Sequence, residues 1–324
     1  MEITLWGVRG SLPSPHSSDA LEEKSRNLLD LFFEQGNKSK EDIEPFLKSL
    51  PSYVIRGWGG NTPCIQVKSD QGGFIIDGGT GIRPFGYELM KGPAAKGEAE
   101  IHLFFTHFHW DHLIGLPFFV PLFVPGNVIH IYAVQDEVLD VFPTLFKKPF
   151  FPVPLEFLGA KLVYHKLEPR KPHKYEDFVI TPYQLDHPDP CWGYRIEQGG
   201  KAYAHCVDTE CNRVSREALG PDLPLYQNTD LMVFDAQYTT RQKFERSNWG
   251  HASAAVGLDL AMREKIGRVI FMHNDPAAMD EDIAKVELEA KRYYDLQVQS
   301  LKALGKDYHD LDWSFATEGM TIKL

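Results

Sequence analysis

Residues 101–112 read IHLFFTHFHWDH, an apolar run followed by four side chains of the types that bind metals. The apolar run is typical of a strand buried in a sheet. His107 and His109 lie two positions apart, so in extended backbone their side chains project to the same side. Asp111 and His112 follow on the next turn, where they could reach a second ion. Imidazole and carboxylate ligands suit zinc, iron or manganese.

Other residues of metal-binding type stand at the ends of further apolar strands. Taken singly, each is more often a turn residue or a satisfied polar group. Strand ends that carry His or Asp to one edge of a sheet are, however, where α/β proteins assemble their sites. Their joint occurrence therefore favours a metal site over the alternative, a His-rich surface turn. These strand-end residues are Asp77, His187, Asp208 and His273.

Composition excludes several classes of protein. The 324 residues are 43% hydrophobic and 24% charged, the balance of a soluble globular chain. A formal charge of −11 makes a nucleic-acid polymer an unexpected partner, because phosphate binding requires a basic face. The four cysteines form no CxxC pair, so we expect a reducing, cytoplasmic compartment. The N-terminus does not resemble a signal peptide, and no apolar run predicts a membrane span.

Strand-like and helix-like segments alternate along the chain without a low-complexity linker. We therefore expect one α/β domain over residues 1–324. Residues 17–56 carry apolar side chains at helical spacing and predict a helical insertion. Residues 113–123 predict a helical segment after the metal-binding motif. Further helices are predicted at 82–91, 136–147, 252–264 and 280–303.

The motif HFHWDH at 107–112 resembles the HxHxDH motif of the metallo-β-lactamase superfamily. Together with the four strand-end residues it matches five motifs of that superfamily in order, over about residues 60–275. The resemblance implies an αββα sandwich of two mixed β-sheets flanked by helices. It also implies a dinuclear metal site at one edge of the sandwich.

The resemblance implies a role for each site residue. One divalent ion would be held by His107, His109 and His187. The second ion would be held by Asp111, His112 and His273. Asp208 would bridge the two ions, and Asp77 would orient their ligands by hydrogen bonding. Zinc is the expected metal, with manganese or iron as alternatives, and a metal-bridging hydroxide would attack the substrate with Asp111 among the catalytic groups.

The segment WGHASAA at 249–255 is similar to a His-containing motif of the superfamily's phosphodiesterases, which include tRNA 3′-end endonucleases. In that branch the histidine contacts the scissile phosphate and helps to protonate the leaving oxygen. The resemblance therefore makes His251 a catalytic residue. It stands just ahead of a predicted helix, where backbone N–H groups favour an anion. Alternatively, His251 only caps that helix.

Shorter segments resemble a bacterial subgroup of small hydrolases regarded as cyclic-nucleotide or related phosphodiesterases. The chain departs from that subgroup at Asn274, where a second histidine is expected, and at the insertion, which could cover the site or mediate a homodimer. A basic arm like that of the tRNA-processing enzymes is not evident in the sequence. The resemblance thus implies a small phosphodiester, a cyclic nucleotide, as substrate. The segments are 6–15, 59–62, 77–81, 185–188 and 273–276.

Secondary contacts are expected from a few further residues. Arg9 and Arg83 are candidates to contact phosphate, and the alternative is that they are simply solvated, as charged side chains on loops more often are. Aromatic side chains near the motifs could stack on a base or pack in the core: Phe108, Trp110, Trp192 and Tyr238. The other histidines are expected to be structural: His16, His102, His130, His165, His173, His205 and His309.

Three rival functions fit the same motifs. A thioester, lactone or other acyl hydrolase could use the same dinuclear site and should tolerate the loss of His251. An iron protein that reduces dioxygen or nitric oxide generally needs a fused flavin domain, which is not evident here. A non-catalytic sensor would be expected to have lost at least one ligand.

Overall fold

Two seven-stranded sheets form the centre of the computed structural model, which describes residues 1–324 apart from the side chain of Ser52. The first sheet has the strand order β14-β1-β2-β3-β4-β5-β6. Its strands are β1 (Glu2–Gly7), β2 (Cys64–Lys68), β3 (Gly73–Ile76), β4 (Glu100–Phe104), β5 (Val128–Ala133), β6 (Lys161–Lys166) and β14 (Thr321–Lys323). Strands β3 to β6 are parallel, whereas β14, β1, β2 and β3 pair antiparallel.

The second sheet has the order β13-β12-β11-β10-β9-β8-β7. Strands β10 to β13 are parallel, and β7, β8, β9 and β10 pair antiparallel. Both sheets are therefore mixed. The strands are β7 (His173–Tyr175), β8 (Phe178–Gln184), β9 (Trp192–Gln198), β10 (Lys201–Cys206), β11 (Leu231–Asp235), β12 (Arg268–Met272) and β13 (Asp312–Phe315).

Helices cover the outer faces of the sheets. Under α4 and α5, behind the first sheet, lies an apolar cluster that contains Phe105 and Phe142, and under α8 and α9 lies another that contains Phe234 and Phe271. The helices are α1 (Ser18–Glu34), α2 (Ile43–Ser49), α3 (Ser52–Arg56), α4 (Ile82–Leu89), α5 (Val138–Leu145), α6 (Arg216–Leu219), α7 (Thr240–Glu245), α8 (Ala254–Glu264) and α9 (Asp280–Ala303).

A third apolar cluster fills the space between the sheets. Phe104 belongs to it, whereas Leu103 on the other face of the same strand and Phe105 directly after the strand belong to the cluster behind the sheet. Because β4 is buried on both faces, its sequence is continuously apolar rather than alternating. The predicted αββα sandwich of two mixed sheets flanked by helices is confirmed.

The strand directions place the carboxyl ends of several strands at one edge of the sandwich. The carboxyl ends of parallel strands within a sheet meet at the same edge. Strands β3 and β4 end there in the first sheet, and β10, β11 and β12 end there in the second. Strand β8 runs in the same direction as β10, because both pair antiparallel with β9.

Some sequence expectations need correction. Residues 113–123 form short 3₁₀ turns and not a continuous helix, since Pro117 and Pro121 interrupt the backbone hydrogen bonding. The short edge strands β7 and β13 carry too little apolar pattern to be recognised. Among the helices of the described residues, none is long and apolar enough to cross a membrane.

Candidate metal centre

The predicted metal-binding residues lie at the edge where the strands end. Asp77 follows β3, and the motif His107–His112 follows β4, with Trp110–His112 in one 3₁₀ turn. His187, Asp208 and His273 follow β8, β10 and β12. This tight turn reverses the chain after His107 and His109, so that Asp111 and His112 also lie near the strand ends.

The first cluster contains three imidazoles and one carboxylate. One ligand atom from each residue lies within 4.8 Å of the others. His187 Nε2 is 3.1 Å from His109 Nδ1, and His107 Nε2 is 3.8 Å from Asp208 Oδ2. These four side chains could surround one divalent ion: His107, His109, His187 and Asp208.

The second cluster shares Asp208 with the first. His273 Nε2 lies 3.0 Å from Asp208 Oδ1 and 3.1 Å from Asp111 Oδ2. His112 Nε2 lies 3.4 Å from the same Asp208 oxygen. Its four members, Asp111, His112, Asp208 and His273, are all buried and also come within 4.8 Å of one another. The structure therefore brings together all seven residues that the sequence predicts to be ligands.

The donor atoms fit a metal. His107 Nε2, His112 Nε2 and Asp208 Oδ1 are buried and have no hydrogen-bond partner among the described residues. Leaving a buried polar group unpaired costs about 1–3 kcal/mol, and more when it is charged. Cations bound to these atoms would satisfy all three. The mixture of imidazole nitrogen and carboxylate oxygen suits zinc, manganese or iron.

Hydrogen bonds behind the imidazoles fix their orientation. His112 Nδ1 donates to Asp77 Oδ2 over 2.7 Å, and Asp77 also accepts from the backbone N–H and hydroxyl of Thr106 at 2.9 Å each. His187 Nδ1 donates to the carbonyl of Gly250 over 3.0 Å, and His109 Nε2 donates to Asp189 over 2.8 Å. In each case the other ring nitrogen faces the centre, as is usual for histidines that bind metals.

The backbone is strained at two of these positions. Asp77 has φ 62° and His273 has φ 70°, in the left-handed region that non-glycine residues rarely occupy. Such residues persist where surrounding contacts over-determine the conformation, and they cluster at functional sites. Gly10 packs against His273, since a Cβ at this glycine would lie 2.4 Å from His273 Nδ1.

Charge is concentrated in this buried edge. Burial alone would raise the pKa of Asp208, but the imidazoles of His273 and His112 hold it well below its usual range. Burial opposes the protonation of His112, yet the carboxylates of Asp111, Asp208 and Asp77 raise its pKa well above the ordinary value. The buried carboxylates of this edge are thus stabilised by positive charge, which protons or metal cations can provide.

His251 borders the centre and is held by a carboxylate that the sequence analysis missed. Its Nδ1 lies 2.8 Å from Asp235 Oδ2 and 3.9 Å from Asp208 Oδ2. Burial lowers the pKa of His251, but Asp235 outweighs it and raises the pKa to about 9. The N-cap of α8 is Ser253, so His251 does not cap that helix. Asp235 ends an apolar strand, the same signal that identified Asp208.

The arginine and aromatic side chains that the sequence predicts to contact the substrate differ in their exposure. The prediction that Arg9 contacts phosphate is wrong. Its guanidinium is buried and donates to the carbonyls of Gly59, Asp275 and Ala278. Arg83 is exposed on α4. Trp192 and Tyr238 are buried, whereas the side chain of Trp110 is 65% exposed beside the motif.

Comparison with known proteins agrees with this geometry. The sequence model of the beta-lactamase superfamily domain matches residues 74–274. The chain belongs to the metallo-β-lactamase superfamily. Its site residues between β3 and the end of β12 all fall within the matched segment. The predicted resemblance to this superfamily and to its phosphodiesterase and tRNase Z-like branch is confirmed.

Among curated proteins, ribonuclease Z of Staphylococcus carnosus is 26% identical over 176 residues, which are 50% of each chain. Ribonuclease BN of Erwinia tasmaniensis is 27% identical over 129 residues, 39% of each chain. The chain therefore spans half or less of the length of these two relatives. Ribonuclease Z of Staphylococcus haemolyticus is 21% identical over 91% of this chain and 95% of its own.

Solved structures share the superfamily fold over nearly the whole chain. YhfI from Bacillus subtilis, a metallo-beta-lactamase fold protein, superposes with a TM-score of 0.63 at 16% identity, covering 99% of this chain and 98% of its own. The short form of human tRNase Z gives a TM-score of 0.59 at 17% identity, covering 100% and 99%.

We predict that Gly250→Ala disturbs the centre through His187. Gly250 has φ +93°, and a Cβ there would lie 2.3 Å from His187 Cε1 and 2.4 Å from its Nδ1. The imidazole must move, so Zn²⁺ affinity should fall about 10–100-fold, as for other groups that orient ligands. Competition with a chelating dye measures this affinity.

Gly36→Ala is the matched control, because Gly36 has φ +82° but no atom within 4 Å of the added Cβ. It should carry a similar backbone strain and keep the wild-type Zn²⁺ affinity. Wild-type affinity in Gly250→Ala would contradict the assignment of His187 to the first cluster.

Proposed function

We propose that this protein is a metal-dependent hydrolase of phosphodiesters that uses two divalent ions, with zinc as the expected metal. The observation that supports it best is the shared carboxylate: Asp208 lies in both four-residue clusters. One ion is assigned to His107, His109, His187 and Asp208. The other is assigned to Asp111, His112, His273 and Asp208. Asp77 orients His112 through its 2.7 Å hydrogen bond.

Two divalent ions bound here would supply Lewis acidity and an activated water for an in-line displacement at phosphorus. The chain's own residues supply the remaining steps. Asp111 is also proposed as a catalytic residue. Its carboxylate lies beside His273, at the same edge as His251, and accepts a hydrogen bond of 2.8 Å from the backbone N–H of Ser11. His251 is proposed as the acid that protonates the leaving oxygen.

The contacts of His251 suit that role. Asp235 accepts a hydrogen bond from Nδ1, which fixes the ring and leaves Nε2 to hold the proton that is transferred. Asp235 itself accepts from the backbone N–H groups of Thr209 and Gln237, so it stays in place. This pairing supports a phosphodiesterase, which needs an acid for an alkoxide leaving group, over an acyl hydrolase with the same metal centre.

A cyclic nucleotide is the substrate we propose. The formal charge of −11 disfavours long polyanions, whereas a small anion needs positive charge only at the metals. Trp110 is exposed beside the motif and is available to stack on a base. RNA is a second candidate, because the curated relatives are named ribonuclease Z and ribonuclease BN.

Residues 17–56 are proposed as an insertion within a single domain over 1–324. Strands β1 and β2 pair directly on either side of it, so the chain leaves and re-enters the same sheet. A cavity of about 1120 Å³ is lined by Arg56 of the insertion together with Arg83 and Ile114. The residues that line this cavity include none of the proposed metal ligands. The homodimer and the cytoplasmic location stay predictions.

We predict that His109→Ala and Asp208→Ala each abolish metal-dependent hydrolysis of bis(4-nitrophenyl) phosphate. Since loss of an orienting group already costs 10–100-fold, loss of a ligand should reduce kcat/KM by about 100-fold or more. Assays with saturating Mn²⁺ or Zn²⁺ measure this. His309→Ala, whose side chain donates to the carbonyl of Ile266, is the control and should retain activity. Wild-type turnover in folded Asp208→Ala would contradict the proposal.

His251→Gln tests leaving-group assistance. We expect kcat for 3′,5′-cAMP, which has an alkoxide leaving group, to fall about 10²–10⁴-fold. A 4-nitrophenyl diester needs little protonation and should lose far less. Ser253→Ala is the control, because its hydroxyl makes no cap hydrogen bond. Equal losses on both diesters would contradict leaving-group assistance by His251, and thioester turnover that exceeds diester turnover in the wild type would favour an acyl hydrolase.

The substrate class can be tested directly by comparing 3′,5′-cAMP with a single-stranded RNA of the same nucleotides. We expect a kcat/KM for cAMP at least about tenfold higher at 0.15 M salt, where binding of a polyanion to an acidic protein is weak. Faster cleavage of the RNA would transfer the assignment to a ribonuclease.

A further inference from the structure

A second group of histidines lies between the two sheets, near the starts of β4 and β5 and away from the metal centre at their carboxyl ends. His102 and His130 are register partners on these parallel strands. Their rings are 4.6 Å apart and 6° from parallel. His165 on β6 and His173 on β7 complete the group. The sequence predicts a structural role for all four.

Glu100 gives this group a carboxylate. It lies two residues before His102 on β4, and thus on the same face of the strand. Glu100, His102 and His130 each offer one ligand atom within 4.8 Å of the others. The Glu100 side chain is 72% exposed and that of His130 is 19% exposed, so the group is open to solvent on one side.

Hydrogen bonds orient both imidazoles. His130 Nδ1 lies 2.8 Å from His165 Nε2, and His102 Nδ1 lies 2.9 Å from the hydroxyl of Tyr132. When each Nδ1–H donates to these partners, both Nε2 atoms carry free lone pairs. A histidine that donates one ring N–H to a neighbour and offers the other nitrogen is the usual arrangement at metal sites.

The distance between the His130 and Glu100 side chains is suited to two ligands of one cation. His130 Nε2 lies 3.9 Å from Glu100 Oε2, beyond hydrogen-bond distance. A lone pair and a carboxylate that face each other both require a positive charge. Two ligand bonds of about 2.0–2.2 Å to one zinc ion span this separation.

The lowered pKa values of three of these histidines favour metal binding at neutral pH. Burial, with repulsion from His130, lowers the pKa of His102 to about 4. Burial also lowers the pKa of His165 and of His173. Neutral imidazole is the form that binds a metal, so no proton has to be displaced from these rings.

We propose that Glu100, His102 and His130 form an additional binding site for one divalent transition-metal ion such as Zn²⁺. His165 and Tyr132 orient the two imidazole ligands. A bound ion ties β4 to β5 and partly neutralises an otherwise acidic chain. This site is separate in the fold from the centre assigned to hydrolysis and does not depend on that assignment.

The test counts bound zinc. Metal-free protein is loaded with Zn²⁺, passed through a desalting column and analysed for zinc per chain. We expect Glu100→Gln and His130→Gln each to bind one equivalent fewer than the wild type. Glu100→Gln changes an exposed side chain and should leave the fold unchanged in circular dichroism, which keeps the test valid if His130→Gln does not fold.

Glu156→Gln serves as the control, because Glu156 is an exposed carboxylate outside the group, and it should match the wild type. Hydrolysis of bis(4-nitrophenyl) phosphate at saturating metal should remain at the wild-type rate in Glu100→Gln. Equal zinc content in the wild type, Glu100→Gln and His130→Gln would overturn the proposal. Loss of hydrolysis together with the zinc in Glu100→Gln would also overturn it, since the missing ion would then belong to the hydrolytic centre.

Discussion

The buried carboxylate of Asp208 is the group around which the candidate centre is arranged. Its oxygens lie 3.0 Å from His273, 3.4 Å from His112 and 3.8 Å from His107. An isolated carboxylate in such a position would be strongly unfavourable, so the surrounding groups must carry positive charge. Protons on the imidazoles can provide it, and so can two cations. The convergence of the ends of β4, β8 and β12 on the carboxylate that follows β10 is thus an electrostatic requirement as well as a geometric one.

A ring of outer hydrogen bonds determines which atoms face that carboxylate. Asp77 accepts from His112, the Gly250 carbonyl accepts from His187, and Asp235 accepts from His251. Each partner fixes a ring by one nitrogen and leaves the other for a metal or for the substrate. The strained backbone at Asp77 and His273 belongs to the same arrangement, because both residues must turn their side chains back over the strand ends. Preorganisation of this kind is what catalysis by fixed charges requires.

The structure brings the predicted ligands together at one edge, and the sequence could indicate this because its signals are local. The spacing of His107, His109, Asp111 and His112 is contained in one loop, and each remaining ligand follows an apolar strand. Asp235 carries the same signal but has no motif around it. The pairing of His102 with His130 depends on the register of two parallel strands, which local sequence does not specify. The contacts of Arg9 could not be predicted from local sequence, because the backbone carbonyls that accept from its guanidinium come from positions about 50 and 266 to 269 residues away.

The most direct measurement is X-ray diffraction from crystals grown with Zn²⁺ or Mn²⁺, using anomalous scattering at the metal's absorption edge. We predict two peaks about 3.5–4 Å apart at the carboxyl ends of β4 and β10, as in other two-metal sites. Each ion should lie about 2.0–2.2 Å from a carboxylate oxygen of Asp208. The two ions can use one oxygen each or share the same oxygen. A single peak there, or two peaks of which one makes no contact with Asp208, would contradict the central role of this carboxylate.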